Sequence, residues 1–228
     1  MKYSFFTLLV FAIVSCSNEK STKSVSTLSS FKDSTSYALG ADLGENLKRQ
    51  NVEIDYDVFM AGLTDGMEIG LIKLDQKQRR EIMAMLQKKL RDKADLAGKS
   101  NLKLADDFLK NNKENENIKE TPTGLQYRII NEGKGSSPNR DDRVKVHYVG
   151  KLMDGTEFDS SIKRGEPSEF GLTQVIKGWT EGLQLMKLGA KYEFFIHPKI
   201  AYGSRPRPTI PANSLLIFEV ELLEIIGK

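Results

Sequence analysis

From Asp75 to about Asn112 the chain runs without a proline, and its apolar residues recur at helical spacing. Ile82, Leu86, Leu90, Ala94, Ala97, Leu104 and Phe108 make a narrow stripe, with Lys, Arg, Asp and Glu on the other faces. Roughly 37 residues rising about 1.5 Å each form a rod of about 55 Å, longer than a small globular domain needs. The pattern then breaks at KETPTGLQY, where Pro122 and Gly124 end helix and strand-like sequence begins at Leu125. The chain therefore divides into a helical front and a sheet-forming back, which sets the fold class as α+β.

The front carries two shorter helices. Asp33 or Ser34 can cap one through Tyr37, Leu39, Leu43 and Leu47, and Gly40 and Gly44 on one face would let another helix approach closely. Asp55 opens the second, through Val58, Phe59, Leu63 and Met67, with Gly70 as its stop. Two such helices are too few to bury a full core, and a narrow stripe on a long helix asks for a partner. Residues 31–74 are expected to form a homodimerisation domain, and residues 75–120 a long connecting helix. The alternative is a monomeric helical hairpin domain.

Residues 1–15 differ from the rest. Lys2 is followed by the apolar run FFTLLVFAIV, whose ten or so residues span only about 15 Å as a helix, half a bilayer core. This reads as a signal peptide, not a membrane span. Cys16 is the only cysteine, so a disulfide framework is excluded. IVSC resembles the lipobox of bacterial lipoproteins, in which the cysteine is acylated and becomes the mature N-terminus. That implies attachment to a membrane through N-terminal lipid at Cys16 alone; the alternative is an ordinary secretory signal with a chance cysteine. Ser17 in place of an aspartate favours the outer membrane, facing the periplasm or the cell surface. Residues 16–30 are rich in serine and charge, as in a flexible tether.

Behind the break, LQYRII, RVKVHYVGKL, AKYEFFIHP and SLLIFEVELLEI have the enrichment of strands, and Val144, Val146 and Tyr148 alternate. Asp154-Gly155 is a turn. One short helix begins at GWTEGLQLM, with Trp179, Leu183 and Met186 on one face and Gly189 at its C-terminal end. A net charge of +3 without clustered basic residues gives no footprint for nucleic acid. His147 and His197 have no acidic or cysteine partner at ligand spacing and read as strand-face residues, so no metal site and no cofactor are expected. A phosphate-binding glycine loop and a nucleophile elbow are both missing.

What remains is a concentration of aromatics: Tyr148, Phe158, Phe170, Trp179, Tyr202 and Phe218, joined by Val175, Ile176 and Ile210. Each taken singly could be ordinary core. Their setting in VHYVGKLMDGTEFDSS, VIKGWTEGL, AYG and IPANSLLIFEVELL resembles the FKBP family of peptidyl-prolyl isomerases over about residues 122–226. The resemblance implies a twisted antiparallel sheet wrapped around one short helix, over residues 121–228, with the active site between them. Tyr148, Phe158, Val175, Ile176, Trp179, Tyr202 and Phe218 would line that pocket, beside Phe170. Trp179 would be its floor, and Asp159 and the Tyr202 hydroxyl its polar groups. Ile210 would lie in a flap beside the mouth, and the Ile176 N–H would serve as a donor. Proline-containing or unfolded polypeptides would be the substrates, and macrolides of the tacrolimus and rapamycin type possible ligands.

The helical front, YALGADLGENLKRQNVEIDYDVFMAGLTDGM followed by a charged helix, resembles the amino-terminal domain of the macrophage infectivity potentiator and FkpA-type proteins. That resemblance implies entwined helices in a homodimer and a client-holding cleft between two isomerase domains. Two departures stand out: Ser168 where the family has a bulkier apolar residue, and a flap, GSRPRPTIP, with two Arg-Pro pairs. They bear on drug affinity, catalytic strength and the preference around proline. Two other classes of function fit the same surfaces: a non-catalytic holdase, and a surface lipoprotein that binds a host or matrix partner.

Overall fold

The computed structural model describes residues 27–68 and 70–227; the expected signal peptide, Cys16 and most of the tether lie outside them. The chain forms two compact units that meet between Ile72 and Lys73. Among the described residues no helix is long and apolar enough to cross a membrane.

In the first unit, helix α1 spans Phe31–Arg49 and α2 spans Tyr56–Met67. The cap of α1 is Ser30, not Asp33 or Ser34. Ser30 Oγ accepts from the Asp33 N–H at 3.1 Å, and the Asp33 carboxylate accepts from the Ser30 N–H at 3.0 Å. A serine three residues before an acid satisfies two otherwise unpaired N–H groups at once, which a cap at Asp33 would not. Asp55 caps α2 by accepting from the Asp57 and Val58 N–H groups. This helix stops at Met67, with Glu68 already extended, so Gly70 (φ +85°) belongs to the turn beyond. Neither helix contains a buried residue; Phe31 and Met67 are 88% and 83% exposed.

The second unit begins with α3, Gln76–Asn112, capped by a reciprocal Asp75–Gln78 pair. Helix does not continue to residue 120. Asn115 Nδ2 bonds the Asn112 carbonyl at 2.9 Å, so a side chain takes over an acceptor that the helix would have used. The chain turns there and enters strand β1, Ile118–Glu120. Strands β2 (Gln126–Asn131), β3 (Arg143–Lys151), β4 (Glu157–Ser160), β5 (Ser168–Gly171), β6 (Lys191–Ile196) and β7 (Leu216–Ile226) complete an antiparallel sheet. Its order is β1-β2-β6-β7-β3-β4, with β5 also on β3. The alternation in β3 holds: Val144, Val146 and Tyr148 are buried, and the residues between them are not. The one-turn helix α4, Ser161–Arg164, and a short 3-10 helix, Pro198–Ile200, were not legible from periodicity.

Helix α5, Lys177–Leu185, lies on the sheet with Trp179 and Leu183 buried, and Met186 buried just past its end. Two glycines set that approach. A Cβ on Gly178 would sit 2.6 Å from Ile196 Cγ2, and one on Gly182 2.6 Å from Phe194 Cε1. Any larger residue would push the helix off the sheet. Gly189 is not the C-terminal residue of this helix, which ends at Leu185. It adopts φ +74° in the turn into β6, where its N–H donates to the Leu222 carbonyl.

The C-terminal part of α3 is a wall of this unit. Ala105 and Leu109 bury against Phe195 and Leu215, with Phe108, Ile118 and Ile217 around them. Gln126, fully enclosed, donates to the Leu109 carbonyl at 2.8 Å, and Asn101 and Asn213 donate to the Ala212 and Gly98 carbonyls. His197 is not on a strand face. It caps the 3-10 helix through Nδ1, which accepts from the Lys199 N–H, so Nε2 carries the proton donated to Asp106 of α3 at 3.0 Å. That acidic partner stands 91 residues away, outside the reach of any local spacing rule. His147 does lie in β3, where its Nδ1 meets Ser161 Oγ at 3.1 Å.

Candidate active site

Between α5 and the concave side of the sheet lies a cavity of about 430 Å³. Tyr148 reaches it from β3, Phe158 and Asp159 from β4, Phe170 from β5 and Phe218 from β7. Val175 and Ile176 enter just before α5, Trp179 from its first turn and Tyr202 after the 3-10 helix. Nine of the residues singled out in the sequence thus share one cavity. Ile210 does not line it. That side chain is 6% exposed within the core, and its backbone pairs with Arg207. Gln174 and Ala201 also line the cavity and were not singled out; Arg207, from the second Arg-Pro pair of the flap, lines it too.

Trp179 is held at the base by three rings nearly perpendicular to it. Tyr148, Phe170 and Phe218 meet the indole with centroids 5.2, 5.4 and 5.1 Å away and ring planes 90°, 86° and 77° to it. Phe158 is in turn edge-on to Phe218 at 5.4 Å. Positive ring edges facing negative ring faces are the favoured aromatic geometry, worth about 0.5–1.5 kcal/mol per pair beyond burial. Three such contacts fix the indole in one orientation. Its Nε1 is the one buried side-chain nitrogen or oxygen among the described residues without a hydrogen-bond partner.

One corner of the cavity is polar. The Tyr148 hydroxyl donates to Asp159 Oδ2 at 2.5 Å and accepts from Arg164 Nη2 at 3.0 Å. Arg164 also pairs with Asp159 Oδ1 and donates to Ser168 Oγ at 3.0 Å. Burial pushes the Asp159 carboxyl up, but the Tyr148 hydroxyl and the Arg164 guanidinium outweigh it and hold the group below its usual range. Burial raises the Tyr148 phenol, and its bond to the Asp159 carboxylate raises it further. Bonds to Tyr148 and then Asp159 raise Arg164. At neutral pH the corner is therefore an ionised carboxylate, a neutral phenol and a guanidinium, locked together.

Arg164 was missed because it stands outside the aromatic pattern. The signal for it is SSIKRG: Ser160 Oγ caps one helical turn by accepting from the Lys163 N–H, and Gly165 at φ +80° ends it. That turn brings Arg164 back onto Asp159, five residues earlier. Ser168 fits the same corner, since its small hydroxyl receives Arg164 where a larger apolar side chain would give no acceptor.

At the exposed rim, Arg207 lies over the Tyr202 ring, its guanidinium carbon 4.9 Å from the centroid. Ile176 caps α5 with its carbonyl, which accepts from the Trp179 and Thr180 N–H groups at 2.9 and 3.0 Å. The cavity thus offers an apolar aromatic base, one neutralised ionic corner and a cationic rim.

Comparison with known proteins agrees with this geometry. Residues 134–223 match the family of FKBP-type peptidyl-prolyl cis-trans isomerases, and residues 32–129 the domain amino terminal to FKBP-type peptidyl-prolyl isomerase. The chain is 42% identical to the FKBP-type peptidyl-prolyl cis-trans isomerase FkpA of Aeromonas hydrophila over 206 residues, 86% of this chain and 77% of that protein. It is 41% identical to the outer membrane protein MIP of Legionella longbeachae over 203 residues, covering 87% of each. The crystal structure of FkpA from Escherichia coli superimposes with a TM-score of 0.64 at 34% identity, covering 88% of this chain and 99% of that one.

Proposed function

The chain belongs to the FKBP-type peptidyl-prolyl cis-trans isomerases, and on that premise we propose that it turns over X–Pro bonds of exported polypeptides in the Trp179 cavity. The observation that carries the assignment of the site is the indole set nearly perpendicular to three aromatic rings at the base of the cavity, away from its ionic corner. Rotation about a peptide bond costs roughly 18–20 kcal/mol because planarity carries resonance. X–Pro bonds populate both isomers and exchange in tens to hundreds of seconds. A twisted amide has lost that resonance, so its carbonyl is less polar and needs less water. An aromatic cavity that strips water from the bond disfavours the planar amide more than the twisted one, and each 1.36 kcal/mol of that difference is about tenfold in rate.

In this reading the proline ring rests on Trp179, with Phe158 and Phe218 closing one side. The Tyr202 hydroxyl and the Ile176 N–H orient the carbonyls that flank the bond. Asp159 transfers no proton, since isomerisation moves none; its two oxygens are engaged by Tyr148 and Arg164, which keeps that wall rigid and ionised. The test is the isomerisation of a Leu-Pro peptide, followed by NMR exchange. Tyr202→Phe, which keeps the ring, is expected to lower kcat/KM severalfold with an unchanged circular dichroism spectrum. Equal kcat/KM would remove the hydroxyl from the mechanism.

We further infer a homodimer built on α1 and α2, most of whose large apolar residues are exposed and whose Gly40 and Gly44 leave open space where a Cβ would stand, with nothing within 4 Å of it. Two cavities on one dimer would suit a folding helper that holds unfolded clients. Light scattering should give the mass of two protomers for the mature chain and of one for residues 73–228; equal protomer number would refute it. The lipobox-like IVSC supports acylation of Cys16 and an outer-membrane position, and the match to an outer membrane protein agrees. Mass spectrometry of the mature N-terminus decides this: a lipidated Cys16 supports it, and a free thiol refutes it. Macrolides of the tacrolimus class would compete for the same cavity.

A further inference from the structure

The cavity has one ionic group with no salt-bridge partner among the described residues. Asp159 is spent on Arg164 and Tyr148, whereas Arg207 lines the cavity over the Tyr202 ring with no carboxylate partner among the described residues. Its backbone is fixed on both sides. Pro206 and Pro208 restrict φ before and after it, and the Arg207 N–H donates to the Ile210 carbonyl at 2.8 Å while the Arg207 carbonyl accepts from the Ile210 N–H at 3.2 Å. Ile210, buried in the core, anchors that small loop. The cavity wall therefore presents a guanidinium over the Tyr202 ring, with no carboxylate on it among the described residues and N–H donors that suit one.

We propose that Arg207 determines substrate preference, selecting X–Pro bonds in which an acidic side chain is directly joined to the proline. A proline seated on Trp179 leaves its neighbouring residue one Cα step of about 3.8 Å away, within the cavity that Arg207 rims. A glutamate there gains a charge-assisted contact, while a lysine is repelled. This rests on the cavity being the site of isomerisation, as proposed above.

Three peptides that differ only before proline, with Glu, Leu or Lys, are compared by NMR exchange at low salt, which avoids a coupling protease. A partly exposed pair, with repulsion of similar size for lysine, sets the expected Glu-to-Lys ratio of kcat/KM at about fivefold. Raising the ionic strength to about 0.5 M should shrink it, because the pair is at the rim. Arg207→Gln should bring the ratio to about one, and Arg207→Glu should invert it, which a merely structural role for the side chain would not do. A wild-type ratio of one, or a ratio that Arg207→Glu leaves unchanged, overturns the proposal. If the Leu peptide is turned over while Glu and Lys are equal, this inference alone fails. If no peptide is turned over, the cavity assignment falls with it.

Discussion

Removing one oxygen atom tests the polar corner. In Tyr148→Phe the buried ring stays, while Asp159 and Arg164 lose the hydroxyl that they share. Bonds to charged partners are worth about 1.5–3 kcal/mol each when enclosed, but the Asp159 and Arg164 side chains are 42% and 44% exposed, so water replaces part of what is lost. A loss of about 1.5 kcal/mol is expected at pH 7. With a urea dependence of about 2 kcal/mol per molar for a unit of this size, the midpoint moves down by about 0.7 M. Trp179, the only tryptophan, lies 5.2 Å from the Tyr148 ring and reports unfolding of this unit by fluorescence.

The pH dependence carries the sharper check. Because the folded carboxyl of Asp159 is held below 3.8, its contribution is present in full above that value and is lost as pH falls through the folded pKa. The Tyr148 phenol is raised above 10, so its contribution is present below that value and is lost only as pH rises through the folded pKa. The difference between wild type and Tyr148→Phe should be flat from about pH 5 to about pH 8 and narrow towards about pH 3. No midpoint shift at pH 7, or one that is as large at about pH 3, would refute the corner as described.

Gly182→Ala places a Cβ 2.6 Å from Phe194 Cε1, and the overpacking should cost about 1–3 kcal/mol, seen as a lower Tm; an unchanged Tm contradicts the close helix–sheet contact. Residues 121–228 alone lack Ala105, Phe108 and Leu109 over Phe195 and Leu215, so that fragment should melt below residues 73–228 and bind a hydrophobic dye; equal melting would make α3 a mere spacer. Titration with a Leu-Pro peptide should change Trp179 fluorescence saturably, and a flat response would place binding elsewhere.

Much of the architecture was legible in the sequence. The step from helical spacing to alternation at KETPTGLQY falls between the first two strands, so the short β1, Ile118–Glu120, was missed, while Val144, Val146 and Tyr148 point inward as their period of two requires. The stripe read on α3 is not its buried face: Ile82, Ala94, Ala97 and Leu104 are exposed. Gly98, Ala105 and Leu109, each one position beyond a stripe residue, are the buried ones, because the sheet packs on a face turned one residue from the one that periodicity picked out. The C-terminal end of that face meets Phe195 and Leu215 of the same chain. The aromatic cavity became visible only through the family resemblance, since its residues span positions 148–218 and each could be core. Arg164 carried no pattern, and Arg207 stood only as half of an Arg-Pro pair in the flap, with no sign of which way it faced. Both are exposed, solvated side chains by composition, and only a one-turn helix and a proline-bounded loop bring them to the cavity. Ile210 shows the reverse: a flap residue by resemblance, it is the buried anchor that holds Arg207 in place.

The most direct measurement is the refolding of a protein whose slow phase is limited by a trans-to-cis proline, with catalytic amounts of this protein, with and without a saturating macrolide in the Trp179 cavity. The slow phase is expected to accelerate in proportion to added protein and to return to its uncatalysed rate when the cavity is filled. A slow phase that never accelerates, or one that stays accelerated with the cavity occupied, would contradict isomerisation in that cavity.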